Sequence, residues 1–250
     1  MGIDYGVSTI LNKYKKTMGL FDFFKTKNNT MCYKTAEQRK EETEALLKSM
    51  SIPYFDHLPL IEEENEVKIR TAMEIAERIL ILTYLNYISE VPEERDSVND
   101  FLKKNSLWDK VSPEEKVLFQ KVVLSRQEKI NISWRSEAIW LLLWAINKVD
   151  KLEIPTEQVE IAEIVSRLPD FLSNPTEFTE NVTIRPTSEL LDISDLTYRL
   201  HWAVRNTELN NLKTLNLNSS VIVERHYAIN WVTYYAEECA YSGAYPPTLE

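Results

Sequence analysis

NISWRSEAIWLLLWAINK, residues 131–148, sets Trp134, Trp140 and Trp144 within eleven positions and places Arg135 and Glu137 between the first two. The apolar run inside it, AIWLLLWAI, is too short to cross a bilayer, which takes about 20 residues. It is apolar on most sides, so it reads as a helix central to a bundle. An unpaired buried charge costs several kcal/mol, so the two charged residues read first as struts that need partners. Placed at the start of the stretch, Glu137 is favoured by the positive end of the helix dipole and Arg135 is disfavoured. Arg135 therefore calls for a carboxylate from another helix, Glu224 first and Asp195 second.

Glycine sharpens the fold class. The chain of 250 residues has four glycines, Gly2, Gly6, Gly19 and Gly243, and none from residue 20 to 242. Tight hairpins and phosphate-cradling loops both need glycine at fixed places. A hairpin-rich β fold, a P-loop and a dinucleotide fingerprint are thereby excluded. At this length the chain buries enough surface to need neither disulfide nor structural metal.

Helix signals run along most of the sequence. Thr35 with Gln38 forms a capping box ahead of AEQRKEETEALLKSMS. VKIRTAMEIAERILILTYLNYISE, residues 67–90, carries a wide apolar stripe, and Pro92 stops it. SVNDFLKKNSLW makes a short helix. Ser112-Pro113-Glu114-Glu115 combines an N-cap serine, proline at N1 and glutamate at N3, and opens a helix expected to reach about Ser125. TEQVEIAEIVSRL, a short helix after Asn174-Pro175, TSELLDISDLTYRLHWAVRNTELN and SSVIVERHYAINWVTYYAEECA follow. NVTIRP is a candidate extended piece. The expectation is an all-α fold: a single irregular bundle of eight or nine helices with little or no β, the last helix packing on those of 131–150 and 187–206. Residues 35–250 form this one domain and residues 1–34 a basic extension, within which Met18 reads as an alternative start.

Charge narrows the partners. Residues 1–34 hold six lysines against two aspartates, a net of +4, so the remainder carries −14 of the total −10. An acidic body repels phosphate backbones, and no nucleic-acid partner is expected. Cys32 and Cys239 fit no zinc spacing. With no apolar leader and no membrane span, a cytoplasmic setting is expected. The oligomeric state is left open.

Three segments share one composition. WRSEAIWLLLW at 134–144, YRLHW at 198–202 and ERHYAINW at 224–231 each set an arginine beside an aromatic with an acid in reach, and hold five of the six tryptophans. Helical spacing pairs Asp195 with Arg199, aligns Trp134 with Glu137, Tyr198 with Trp202, Glu224 with Tyr227, and His226 with Asn230. The candidate polar cluster is Trp134, Arg135, Glu137, Asp195, Arg199, His201, Trp202, Glu224, Arg225, His226 and Asn230. Two readings stay open. The arginines and acids satisfy one another across packed helices, or they line a cleft in which arginine grips a carboxylate or phosphate, His201 or His226 acts as acid–base and Glu224 orients it. No specific catalytic motif supports the second, since HExxH and G-x-S-x-G are both absent. No metal set and no cofactor are expected.

These same tracts resemble a bacterial family known as domain of unknown function 4272. The landmarks are RKEETEALLKSMSIPYFDHLPLIE, RTAMEIAERILIL, INISWRSEAIWLLLWAINKVDKL, LTYRLHWAVRN and VIVERHYAINW, in the family's order over roughly residues 39–231. Ile229 stands where the family usually has leucine. The resemblance implies no activity. The residues favour a non-enzymatic binding or interaction module, of accessory or immunity type, docking a protein partner or a small anionic ligand. An enzyme or ligand-binding protein acting on a small anionic substrate through the Arg/His/Glu/Trp cleft is the alternative.

Overall fold

Thr35, Thr71, Ser112 and Ser125 open four helices in one way. Each side chain accepts from the backbone N–H three residues on, and the glutamine or glutamate there reaches back to the cap. The computed structural model describes residues 33–210, 212 and 215–235. Among them are nine α-helices and no strand: α1 (Ala36–Ser49), α2 (Ala72–Glu90), α3 (Arg95–Lys104), α4 (Pro113–Gln120), α5 (Arg126–Ala145), α6 (Ile161–Val165), α7 (Thr176–Glu180), α8 (Thr187–Leu209) and α9 (Ser219–Val232). The basic extension, apart from Tyr33 and Lys34, lies outside the described residues, as does the end of the last expected helix.

The central position of the opening stretch holds. α5 packs between α2 on one side and α9 on the other; α9 packs in turn on α8, and α8 on α1. α5 is buried on most sides, with Ile139, Leu141 to Leu143 and Trp144 almost fully enclosed. α2 contributes Ile75, Ile79, Leu82, Leu85 and Ile88 to the same core, and α3 turns Val98 and Leu102 onto it. Apolar burial at roughly 25 cal/mol per Å² drives this packing.

The boundaries differ from the expectation in informative places. α2 starts at Ala72 rather than Val67, because Thr71 and Glu74 form its capping box. α5 starts at Arg126, capped by Ser125 and Glu128, where the sequence reading ran the preceding helix to Ser125. Arg135 and Glu137 therefore lie in mid-helix, beyond the first turn, where the helix dipole neither favours the one nor disfavours the other. The helix expected in TEQVEIAEIVSRL shrinks to the five residues of α6. NVTIRP is irregular, but it carries a connection the sequence did not suggest. Arg185 donates through Nε to Trp144 O at 2.7 Å and through Nη2 to Val149 O at 2.8 Å, so a cation sits on the carbonyl end of α5.

Candidate functional site

Glu115 occupies the N3 position of α4, and its carboxylate does two jobs. It closes the capping box on Ser112, and it enters the bundle to meet two arginines. Arg78 of α2 donates Nη1 to Oε2 at 2.7 Å and Nη2 to Oε1 at 2.6 Å, a bidentate fork. Arg135 of α5 donates Nη1 to Oε1 at 2.7 Å. All three residues are buried. Burial alone pushes the Glu115 carboxyl up, but the charge and hydrogen bonds of Arg78, with Arg135 behind them, hold it below the ordinary range. Arg135 thus finds a carboxylate on α4, where Glu224 and Asp195 were expected, and its charge also acts on Glu224. Arg78 and Glu115 lay outside the candidate cluster. The available signal was Arg78 itself, the one basic residue of a helix buried on most sides.

Glu137, one turn along α5, joins a second array. Arg225 of α9 donates Nε to Glu137 Oε2 at 2.9 Å and Nη1 to Glu153 O at 2.7 Å. The other Glu137 oxygen accepts the Val159 backbone N–H. α5, α9 and the 153–159 loop are pinned together by one buried pair. The third array is the expected one within α8: Arg199 donates Nε to Asp195 Oδ2 at 3.0 Å and Nη2 to Oδ1 at 2.9 Å. Glu44 of α1 lies 3.5 Å from Arg199 Nη1.

Glu224 and the two helix-borne histidines behave differently. Glu224 is half-buried and makes no hydrogen bond or ion pair among the described residues. Burial raises its carboxyl to about 7, with Arg135 pulling it down and Glu137 pushing it up. His201 of α8 and His226 of α9 meet Nδ1 to Nδ1 at 2.8 Å, their rings nearly perpendicular. One nitrogen must donate and the other accept, so the two rings hold opposite tautomers on their facing edges. Burial lowers both, His201 to about 4, with Arg205 adding and Glu208 opposing, and His226 to about 3, with His201 adding. Trp134, Trp202 and Asn230 are half-buried around these arrays. Among the described residues no three His, Cys, Asp or Glu side chains are grouped to hold a metal ion, and no helix is long and apolar enough to cross a membrane.

A cleft of about 270 Å³ opens beside these arrays, lined by none of the predicted residues. Its floor is one face of α2, Glu74, Glu77, Arg78 and Ile81, with Arg70 just before the helix; Lys110 and Trp231 form the walls. Sequence spacing could have found the floor, since 74, 77, 78 and 81 share a helical face. The walls come from distant segments and carry no local signal.

The chain belongs to the family described as a domain of unknown function (DUF4272), whose model matches residues 39–241. No curated protein and no solved structure matches it.

Proposed function

We propose that this member of the DUF4272 family is a non-enzymatic cytoplasmic binding module that holds a partner or ligand without converting it. The observation that carries this reading is the pairing of the arginines the sequence put forward. Arg135 is bound by Glu115, Arg225 by Glu137 and Arg199 by Asp195, all buried. A guanidinium that catalyses or grips a substrate needs free donors facing an open site. Arg135 and Arg225 instead cross-link helices, and Arg199 is closed by an acid of its own helix. Apolar side chains stand in solvent between Val117 and Ile130, with Val122 81% and Val123 74% exposed. Exposed apolar side chains of that kind suit a docking surface.

One observation favours the enzyme reading, and it moves the general base from the histidines to Glu224. Its carboxyl titrates at about 7, close to working pH, and it has spare hydrogen-bonding capacity among the described residues. The two readings separate in one experiment. The full chain is incubated with model ester, phosphate-ester, amide and glycoside substrates, and in parallel screened by thermal shift against common metabolites. The expected result is no turnover, and stabilisation by a ligand, worth about 2.7 kcal/mol at 100 times its dissociation constant. Turnover that drops about 100-fold in Glu224→Gln, with the unfolding midpoint kept, would overturn the binding reading.

A further inference from the structure

Arg70 is held in an unusual way. Its Nε donates to Trp231 O at 2.9 Å, and its guanidinium lies 4.3 Å from the Trp231 ring centroid and 3.9 Å from that of Tyr234. Two aromatic faces thus fix the plane of the fork. Its terminal nitrogens make no hydrogen bond among the described residues, and the Glu74 carboxylate is 3.7 Å from Nη1. A fixed guanidinium whose terminal donors carry only the long Glu74 contact is built for a carboxylate, because the two donors match its two oxygens.

The rest of the cleft completes the description. Glu77 accepts Lys110 on Oε1, and its Oε2 has no hydrogen-bond partner among the described residues. A carboxylate oxygen is therefore open to a donor deeper along α2. Ile81 and Trp231 supply apolar surface. The lining cations Arg70, Arg78 and Lys110 stand beside the carboxylates of Glu74 and Glu77, so the cleft presents both signs of charge. A molecule bearing one charge of each sign meets both. Pockets for drug-sized ligands run from about 300 Å³ upward, so a cleft of about 270 Å³ suits something smaller.

We infer that the Arg70–Glu77 cleft binds a small zwitterion, an amino acid or very short peptide, with its carboxylate on Arg70, its ammonium on Glu77 and its apolar body against Ile81 and Trp231. The inference rests on the binding reading above and names its ligand class.

The test is isothermal titration of the full chain with the common L-amino acids, L-leucine first. Two truncated analogues, 4-methylpentanoate without the ammonium and 3-methylbutylamine without the carboxylate, and inorganic phosphate are titrated alongside. At least one amino acid is expected to bind in the micromolar to millimolar range. Its analogues lacking either charge are expected to bind about tenfold more weakly or not at all. Arg70→Lys keeps the charge but loses the fork, and Glu77→Gln loses the acceptor charge. Each is expected to weaken the amino acid about tenfold, while Glu93→Gln, on an exposed turn, leaves it unchanged. If Arg70→Lys lowers the unfolding midpoint, Glu77→Gln and the analogue series on the unaltered chain carry the test. Absence of binding by every amino acid overturns the inference, as does binding indifferent to both substitutions. Phosphate binding without amino-acid binding also overturns it, and leaves the binding reading standing. Turnover of a bound amino acid would instead sink that reading and leave the site assignment intact.

Discussion

Glu115 is the residue on which most charge converges, because one carboxylate answers Arg78, Arg135 and the cap of α4. Removing its charge takes the shared carboxylate away from two buried guanidiniums. Glu115→Gln is therefore expected to cost about 3–5 kcal/mol in urea unfolding. Arg135→Met in that background removes one of the two charges and should recover part of the loss. A double-mutant cycle on Glu115 and Arg135 should give a coupling of roughly 1–3 kcal/mol, and strictly additive losses would show they are not partners. The need for a partner to Arg135 was readable from the sequence, since a charge on an apolar helix must be met. Its identity was not. Asp195 and Arg199 share a helix, and four residues fix their geometry before any packing. Arg135 and Glu115 meet only through the docking of α4 on the bundle. Glu115 was also disguised, because its role as the N3 glutamate of a capping box already seemed to account for it.

Helix ends show the cost of folding this chain without glycine. α1, α3 and α5 each close with a residue in left-handed conformation, Ser51 at φ 57°, Ser106 at φ 58° and Asn147 at φ 60°. The bonding is of the Schellman type: Ile52 N donates to Leu47 O, Leu107 N to Leu102 O and Lys148 N to Leu143 O, all at 2.9 Å. The motif places its demand on one residue, and only glycine meets that demand without a Cβ penalty. Asparagine tolerates the region better than serine. Ser106→Gly is accordingly expected to raise stability by about 0.5–1 kcal/mol and Asn147→Gly by less, read from thermal midpoints. A loss in Ser106→Gly would mean that its side chain holds the α3 end in some other way. Capping boxes were legible at Thr35 and Ser112 because polar caps stood directly before clear helical runs. At Thr71 and Ser125 the apolar pattern runs on past the cap, and the start was misplaced by about one turn. Where glycine is missing, the usual stop signal is missing too, so helix ends were harder to read than starts.

Across the whole molecule, stability is set by groups that titrate in opposite directions. His201 and His226 are depressed to about 4 and about 3, so protons bind the unfolded chain more readily than the folded one. Their contribution is complete above the ordinary histidine pKa of about 6.5 and is lost as pH falls toward those folded values. Glu115, held below the ordinary carboxylate range, adds to the same loss at lower pH. Glu224 works the other way. Its carboxyl is raised to about 7, so its contribution is complete below the ordinary value of about 4.5 and is lost as pH rises through 7. Stability should therefore peak near pH 6.5, fall steeply toward acid where two histidines outweigh one carboxyl, and drop only slightly before levelling off above about pH 7. Two substitutions separate the arms. Glu224→Gln removes the alkaline loss and should make the protein more stable than the parent above pH 7, by about 1–3 kcal/mol, with no gain below about pH 4.5. His226→Gln keeps a hydrogen bond to His201 and removes one titrating ring, so the slope between pH 6 and 4 should flatten by about half. Urea unfolding from pH 4 to 9 reads both effects. An alkaline arm that survives in Glu224→Gln would show that this carboxyl is not its source.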